Sequence, residues 1–153
     1  PPARAVLLLA RHPEARAHDS AVAPQAVAGA DDDVRSVLAA AARVLAAGGR
    51  RVALVVAEED LPALADLPAE VSLAALGSIA DAPEVARNLF AALRAADVGG
   101  AGVILARDFG ESGLAFAVRD RLRRAAAGSM VEVTSGEVEA AVTAVLEVVE
   151  GDR

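Results

Sequence analysis

Lysine is missing from this chain: all fifteen basic residues are arginine. A P-loop of the usual kind sets a lysine on the terminal phosphates of a nucleotide, and Schiff-base chemistry needs an amine, so both are excluded. Cysteine is missing too, which removes disulfides, thiolate nucleophiles and Cys-ligated zinc. Aromatic residues are reduced to three Phe, without Trp or Tyr, and the net charge is −7. Nucleic-acid binding needs a basic surface for phosphates and rings for stacking, so direct contact with nucleic acid is not expected. No apolar run approaches the roughly 20 residues of a membrane span, and no signal-peptide pattern opens the chain. The expectation is a soluble, cytoplasmic protein without a membrane partner.

What is present is a small-residue core. Hydrophobic residues make up 55% of the 153 positions, chiefly Ala, Val and Leu. That length suits one domain, 1–153, with a sizeable core. Pro1 to Arg4 read as the end of a linker, because two prolines stand just ahead of the apolar run AVLLLA at 5–10. A chain that opens in this way reads as a piece of something longer. Residues 12–31 show no sustained period and are rich in Ala and Pro, so they read as an irregular insertion, either a loop or a short helical embellishment.

Beyond it, strands and helices alternate. Asp31 to Asp33 place negative charge where a helix should start. Val34, Val37, Leu38, Ala41, Val44 and Leu45 form its apolar face, and Gly48–Gly49 end it. VALVVA after Arg51 reads as a second inner strand, Leu61–Leu67 as a short helix and VSLAAL at 71–76 as a third strand. Asp81 and Glu84 form a capping box, with Pro83 in the first turn, for a helix whose face is Val85, Leu89, Leu93 and Ala96. Gly99, Gly100 and Gly102 turn the chain into VILA, a branched run suited to a central strand buried on both faces. Leu114, Ala117, Val118 and Leu122 mark the next helix. MVEV at 130–133 is an edge strand, because Glu132 interrupts it. Thr134 and Glu137 form a further capping box for a helix with Val138, Val142, Val145, Leu146 and Val149 inward. The pattern predicts an α/β fold with a doubly wound, mostly parallel, five-stranded, three-layer Rossmann-like sheet.

In such a sheet, ligands sit beyond the carboxyl ends of the strands. The loops expected there are Arg11–His12, Glu58–Asp60, Gly77–Ser78, Arg107–Gly113 and Ser135–Gly136. In RDFGESG, the residues Arg107, Gly110, Ser112 and Gly113 precede a helix N-terminus whose free amides suit an anion. Glu111 and Ser112 have a second reading as plain helix caps. Gly77 and Ser78 carry the same two readings. ARHPEARAH after the first strand contains no glycine, so no dinucleotide fingerprint is present. His12 and His18 read as solvated loop residues, and no metal site or cofactor is expected in this domain. Arg119, Arg121, Arg123 and Arg124 read as a solvated helix face, with a docking surface for another domain as the alternative. No nucleophile–base–orienter set is visible, so the domain by itself is not expected to be an enzyme.

Four segments, LGS at 76–78, ARNLFAALR at 86–94, GVILAR at 102–107 and GLAFAVRDRLRRAA at 113–126, resemble in order and spacing the C-terminal domain of two-domain threonylcarbamoyl-AMP synthases. PPARAVLLLAR and AAGGRRVALVV are similar to that domain's first two strands, while 12–31 and 128–153 have no counterpart. The resemblance implies a Rossmann-like module joined by a linker to an N-terminal catalytic domain. That partner would hold ATP and Mg and make threonylcarbamoyl-AMP from threonine, bicarbonate and ATP, as an L-threonylcarbamoyladenylate synthase (a nucleotidyltransferase), for the threonylcarbamoyladenosine modification of tRNA. The module here would then be a regulatory or lid element. The other reading is a free-standing α/β domain that binds a small anionic or nucleotide ligand at the 107–113 loop.

Overall fold

The computed structural model describes residues 4–11, 24–110, 113–127 and 129–151. The remaining positions include His12, His18, Glu111, Ser112 and residues 1–3 of the expected linker, so the expectations placed on them lie outside the described residues, while Arg4, expected to be the linker's last residue, opens β1. The elements run β1 (Arg4–Arg11), α1 (Pro24–Ala47), β2 (Val52–Val56), a 3₁₀ segment (Glu58–Leu64), β3 (Val71–Ala75), α2 (Ala82–Val98), β4 (Val103–Arg107), α3 (Leu114–Ala125), β5 (Met130–Thr134) and α4 (Val138–Glu150). The strands form one parallel sheet in the order β3-β2-β4-β1-β5. This is the doubly wound α/β architecture that the alternation of elements predicts.

β4 lies in the middle of the sheet, and all five of its residues are buried, as are those of β2. Branched side chains suit a strand covered on both sides, since no face has to meet water. On one face, α1 and α4 pack through Val34, Val37, Leu38, Leu45, Ala141 and Val145 over Val6, Leu8, Leu54 and Leu105. On the other, α2 and α3 pack through Val85, Leu89, Val118 and Leu122 over Val55, Ile104 and Ala106. Each Leu or Val removed from water in this way stabilises the fold by about 1.5–3 kcal/mol. β5 closes one edge and β3 the other, with Leu73 left 41% exposed.

Both helix stops that precede inner strands are Schellman turns. After α2, Gly100 takes a left-handed φ of +77° while its N–H donates to Asp97 O and the Ala101 N–H donates to Ala96 O. Only glycine adopts this conformation without a Cβ penalty, so the helix ends there and the chain is aimed into β4. The turn after α1 uses the same two bonds, Gly49 to Ala46 and Arg50 to Leu45.

Several local expectations are revised. The helix expected to open at Asp31 begins at Pro24, so 24–31 are helical rather than irregular. A proline in the first turn gives up no intrahelical bond, and the alanines that follow favour helix. Asp31 to Asp33 therefore sit well inside α1 and bond sideways instead of capping it. The short helix is a 3₁₀ segment at Glu58–Leu64, three residues earlier than the expected Leu61–Leu67 span. Asp81 caps α2 by accepting from the Glu84 N–H at 3.1 Å, but the reciprocal half of the box is not made. The Asp81 N–H donates to Ser78 O instead, and the Glu84 carboxylate lies against Gly77. Thr134 and Glu137 form no box either. Glu137 is the N-cap residue, without a side-chain cap bond, and donates its N–H to Thr134 O. Leu114 and Ala117 face outward while Ala115 faces the core, because α3 is turned slightly from the orientation its periodicity implies. α4 is turned likewise, with Ala141, Val145 and Val149 innermost.

Candidate functional site

The carboxyl ends of β2 and β4 meet α1 in a buried ionic cluster. Asp60, in the 3₁₀ segment after β2, is fully buried, and its Oδ1 accepts from Arg35 Nε and from Arg107 Nη1, both at 2.8 Å. Its Oδ2 accepts from the Ala57 N–H at 2.9 Å, while the Asp60 N–H donates back to Ala57 O at 3.0 Å. Burial of a carboxylate is tolerated only when its lone pairs find donors, and three protein donors supply them here.

Arg107 ends β4 with its guanidinium turned inward. Besides Asp60, it donates through Nη2 to Asp31 of α1 at 2.5 Å and through Nε to Asp108 O at 2.9 Å. Its side chain is 3% exposed, so its charge is directed into the fold. Arg35, at the rim, also reaches Asp32 at 2.7 Å. Burial alone would lower its pKa, but the bond to Asp60, the charge of Asp60 and the further carboxylates Asp32 and Asp31 hold it above the ordinary arginine value. Asp33 extends the ties to the turn after β5, the edge strand opposite β3, by accepting from the Gly136 N–H at 2.9 Å.

Gly77 and Ser78 form the β3–α2 turn. The Ser78 hydroxyl donates to Glu59 Oε2 at 2.6 Å and accepts from the Ala80 N–H at 3.1 Å. Glu59 also accepts from the Ile79 N–H, at 3.0 and 3.2 Å to its two oxygens. Burial pushes the Glu59 pKa up, but these bonds from Ser78 and Ile79 outweigh it and leave the carboxyl below its usual range. Nearby, the Asn88 amide donates to Leu76 O at 2.8 Å.

In the β4–α3 loop, Asp108 is 8% exposed and is held by Arg119 through two bonds, Nε to Oδ1 at 2.8 Å and Nη2 to Oδ2 at 2.6 Å. The Gly110 N–H donates to the same Oδ2 at 3.1 Å, and the Asp108 N–H donates to Leu8 O of β1. Gly113 is the N-cap residue of α3 and makes no side-chain cap bond. Arg119 is thus part of this loop's framework rather than of a solvated face. Arg121 lies 4.0 Å over the Phe90 ring of α2, and Arg124 pairs with Asp120.

The structure gathers Gly77, Ser78, Arg107, Gly110 and Gly113 at one edge of the sheet, as loops following β3 and β4 must be. It sets them among residues that periodicity did not single out, namely Asp31, Arg35, Asp108 and Arg119. The one legible signal was a run of acidic residues directly after a buried strand, in AEED at 57–60. Among the described residues, no group of three or more His, Cys, Asp or Glu is placed to hold a metal ion. Asp31, Asp60 and Asp108 each accept from arginine, and Arg35, Arg107 and Arg119 each donate to carboxylate. Among the described residues of this edge, these six charges are therefore matched to one another.

A family model described as the C-terminal domain of threonylcarbamoyl-AMP synthase matches residues 1–127. Among solved structures, a doubly substituted P. abyssi Sua5 aligns over 88% of this chain and 30% of its own, with 27% identity and a TM-score of 0.62. P. abyssi Sua5 complexed with L-threonine aligns over 86% of this chain and 31% of its own, with 27% identity and a TM-score of 0.60. The C-terminal Sua5 domain of a Pyrococcus horikoshii hypothetical Sua5 protein, at 24% identity and TM-score 0.52, shares the fold over 86% of this chain and 96% of its own. The chain thus spans a little under a third of the P. abyssi proteins. No curated protein matches it.

Proposed function

We propose, from the premise that this chain belongs to the threonylcarbamoyl-AMP synthase C-terminal domain family, that it is the regulatory or lid module of a longer synthase. The chemistry resides in an N-terminal catalytic domain, its partner. There ATP, Mg, threonine and bicarbonate give threonylcarbamoyl-AMP for tRNA modification in the cytoplasm. With its net charge of −7, the module does not itself hold the tRNA.

The observation that carries this reading is the closed ionic cluster. Asp60 is shared by Arg35 and Arg107, while Asp108 is gripped by Arg119. Charged groups already matched to each other are poor substrate ligands, because releasing one leaves its partner buried and unpaired. They are good loop stiffeners. The turn at Gly77–Ser78 and the loop residues Arg107, Asp108 and Gly110 are held at one edge of the sheet, where they form the contact with the catalytic domain.

The test is threonine-dependent pyrophosphate release, measured for the chain alone and for the chain joined to its upstream domain. Turnover is expected only in the joined protein, together with slower hydrogen exchange at Ile79, Gly110 and Gly113. Threonine-dependent turnover by the chain alone would sink the proposal. So would unchanged exchange at all three amides on joining.

A further inference from the structure

The two edges of the sheet are not alike. β5 carries Glu132 in its middle, and an inserted charge of this kind is a common guard against pairing with another chain. β3, at the opposite edge, reads VSLAA and has no charge, proline or lysine to blunt it. Its five residues are partly or fully exposed, and Leu73 is 41% exposed.

The backbone of β3 has a defined outward pattern. Glu70 O accepts from the Val52 N–H, and the Leu76 N–H donates to Val56 O. In a parallel ladder the residues that bond one neighbour alternate, so even-numbered positions face β2. Val71, Leu73 and Ala75 therefore direct their N–H and C=O groups away from the sheet. The Val71 N–H is already used by Pro68 O at 3.0 Å. Among the described residues, what remains is donors at 73 and 75 and acceptors at 71, 73 and 75.

That set is self-complementary. If a second β3 runs antiparallel about a two-fold axis at Leu73, the two Leu73 residues exchange both their bonds. Each Ala75 N–H then donates to Val71 O of the other chain, while Ala75 O, whose donor would be the engaged Val71 N–H, keeps to water. The two Leu73 side chains fall opposite each other on the same face, where they cover each other. The two Glu70 carboxylates end about 20 Å apart along the strands, beyond a Debye length of about 8 Å at physiological salt. A chain of net charge −7 can approach its copy along this uncharged strip.

We propose that the free edge of β3 is a homodimer edge, with two chains joined β3 to β3 about Leu73 into one continuous sheet. Five residues a side make a small interface, so association is weak and concentration-dependent. Sedimentation velocity of the 153-residue chain, from about 10 µM to about 1 mM, should show the average mass rising toward the dimer. Hydrogen exchange at Leu73 and Ala75 should slow by about tenfold over that range, while Ser72 and Ala74, already bonded to β2, do not change. Leu73→Pro removes an N–H that β2 does not use and should leave a folded monomer. Leu73→Lys sets two ammonium groups against each other and gives the same readout if the proline variant fails to fold. A monomer at every concentration overturns the proposal, as does association that survives Leu73→Lys. Protection of Leu73 and Ala75 by an attached upstream domain, but not by concentration, overturns it in favour of an interdomain strand contact.

Discussion

Arg107 Nη1 lies 2.8 Å from Asp60 Oδ1, and both side chains are almost wholly removed from solvent. The pair links the end of the central strand to the segment after its neighbour β2. Arg35 approaches the same oxygen at the same distance from the rim, with 18% of its side chain exposed.

Removing Asp60 leaves two guanidiniums facing each other without their shared carboxylate. Asp60→Ala should therefore destabilise the chain by about 3–5 kcal/mol. Arg35→Met should cost clearly less than Arg107→Met, since water can reach what Arg35 leaves behind. Urea unfolding of the three variants checks the order.

Ile104 of β4 is 5% exposed and packs with Val118 and Leu122 in the layer formed by α2 and α3. Ile104→Ala should cost about 2–5 kcal/mol. Leu114, at 49% exposure, should lose no more than about 0.5 kcal/mol on change to Ala. Equal losses at the two sites in denaturant melts would contradict the orientation of α3.

Glu59 makes a pH prediction with a definite sign. Its carboxyl titrates below the usual range in the fold, so its contribution is present above the unfolded-state value of about 4.3. That contribution is lost as pH falls through the depressed folded value. The Ile79 amide shift, followed by NMR, should titrate with a midpoint below that of an ordinary glutamate. Ser78→Ala removes the hydroxyl bond and should move the midpoint upward.

Two positive-φ positions should both favour glycine over alanine. Gly77 has φ +137°, and an added Cβ would fall 2.2 Å from Glu84 Oε1. Gly77→Ala should cost about 1–3 kcal/mol through backbone strain, and a second change of Glu84 to Ala should not restore it. Ala127, after α3, has φ +51°. Ala127→Gly should gain up to about 1 kcal/mol. Thermal melts of the two single variants and the double variant read all three effects.

The layers were legible because they depend on period and punctuation. VILA between glycines could only be an inner strand, and Asp81 ahead of Pro83 could only open a helix. The Glu132 interruption also placed β5 at an edge correctly. Side-chain partners were not legible. Nothing in the spacing of Asp31, Asp60 and Arg107 says that they meet, because their meeting follows from β2 and β4 lying side by side, which is a property of strand order. Arg119 read as one of four solvated arginines, since periodicity sorts faces by hydropathy and does not see a carboxylate arriving from another element. The start of α1 was hidden by acidic residues whose partners lie across the fold. The readings that rest on Ser112, His12 and His18 concern positions outside the described residues.

The strand order also bears on the time at which the fold can assemble. β1 is flanked by β4 and β5, which begin at Val103 and Met130. Within this domain β1 is made first, and it must wait for the late strands before either of its sides is covered. At synthesis rates of about 5–20 residues per second, the wait for β4 is roughly 5–20 s. Pairing over such sequence separations is slow even in a finished chain. Throughout that interval LLLA at 7–10 is an unpaired apolar segment, and it is the part of this protein with most need of a chaperone's attention.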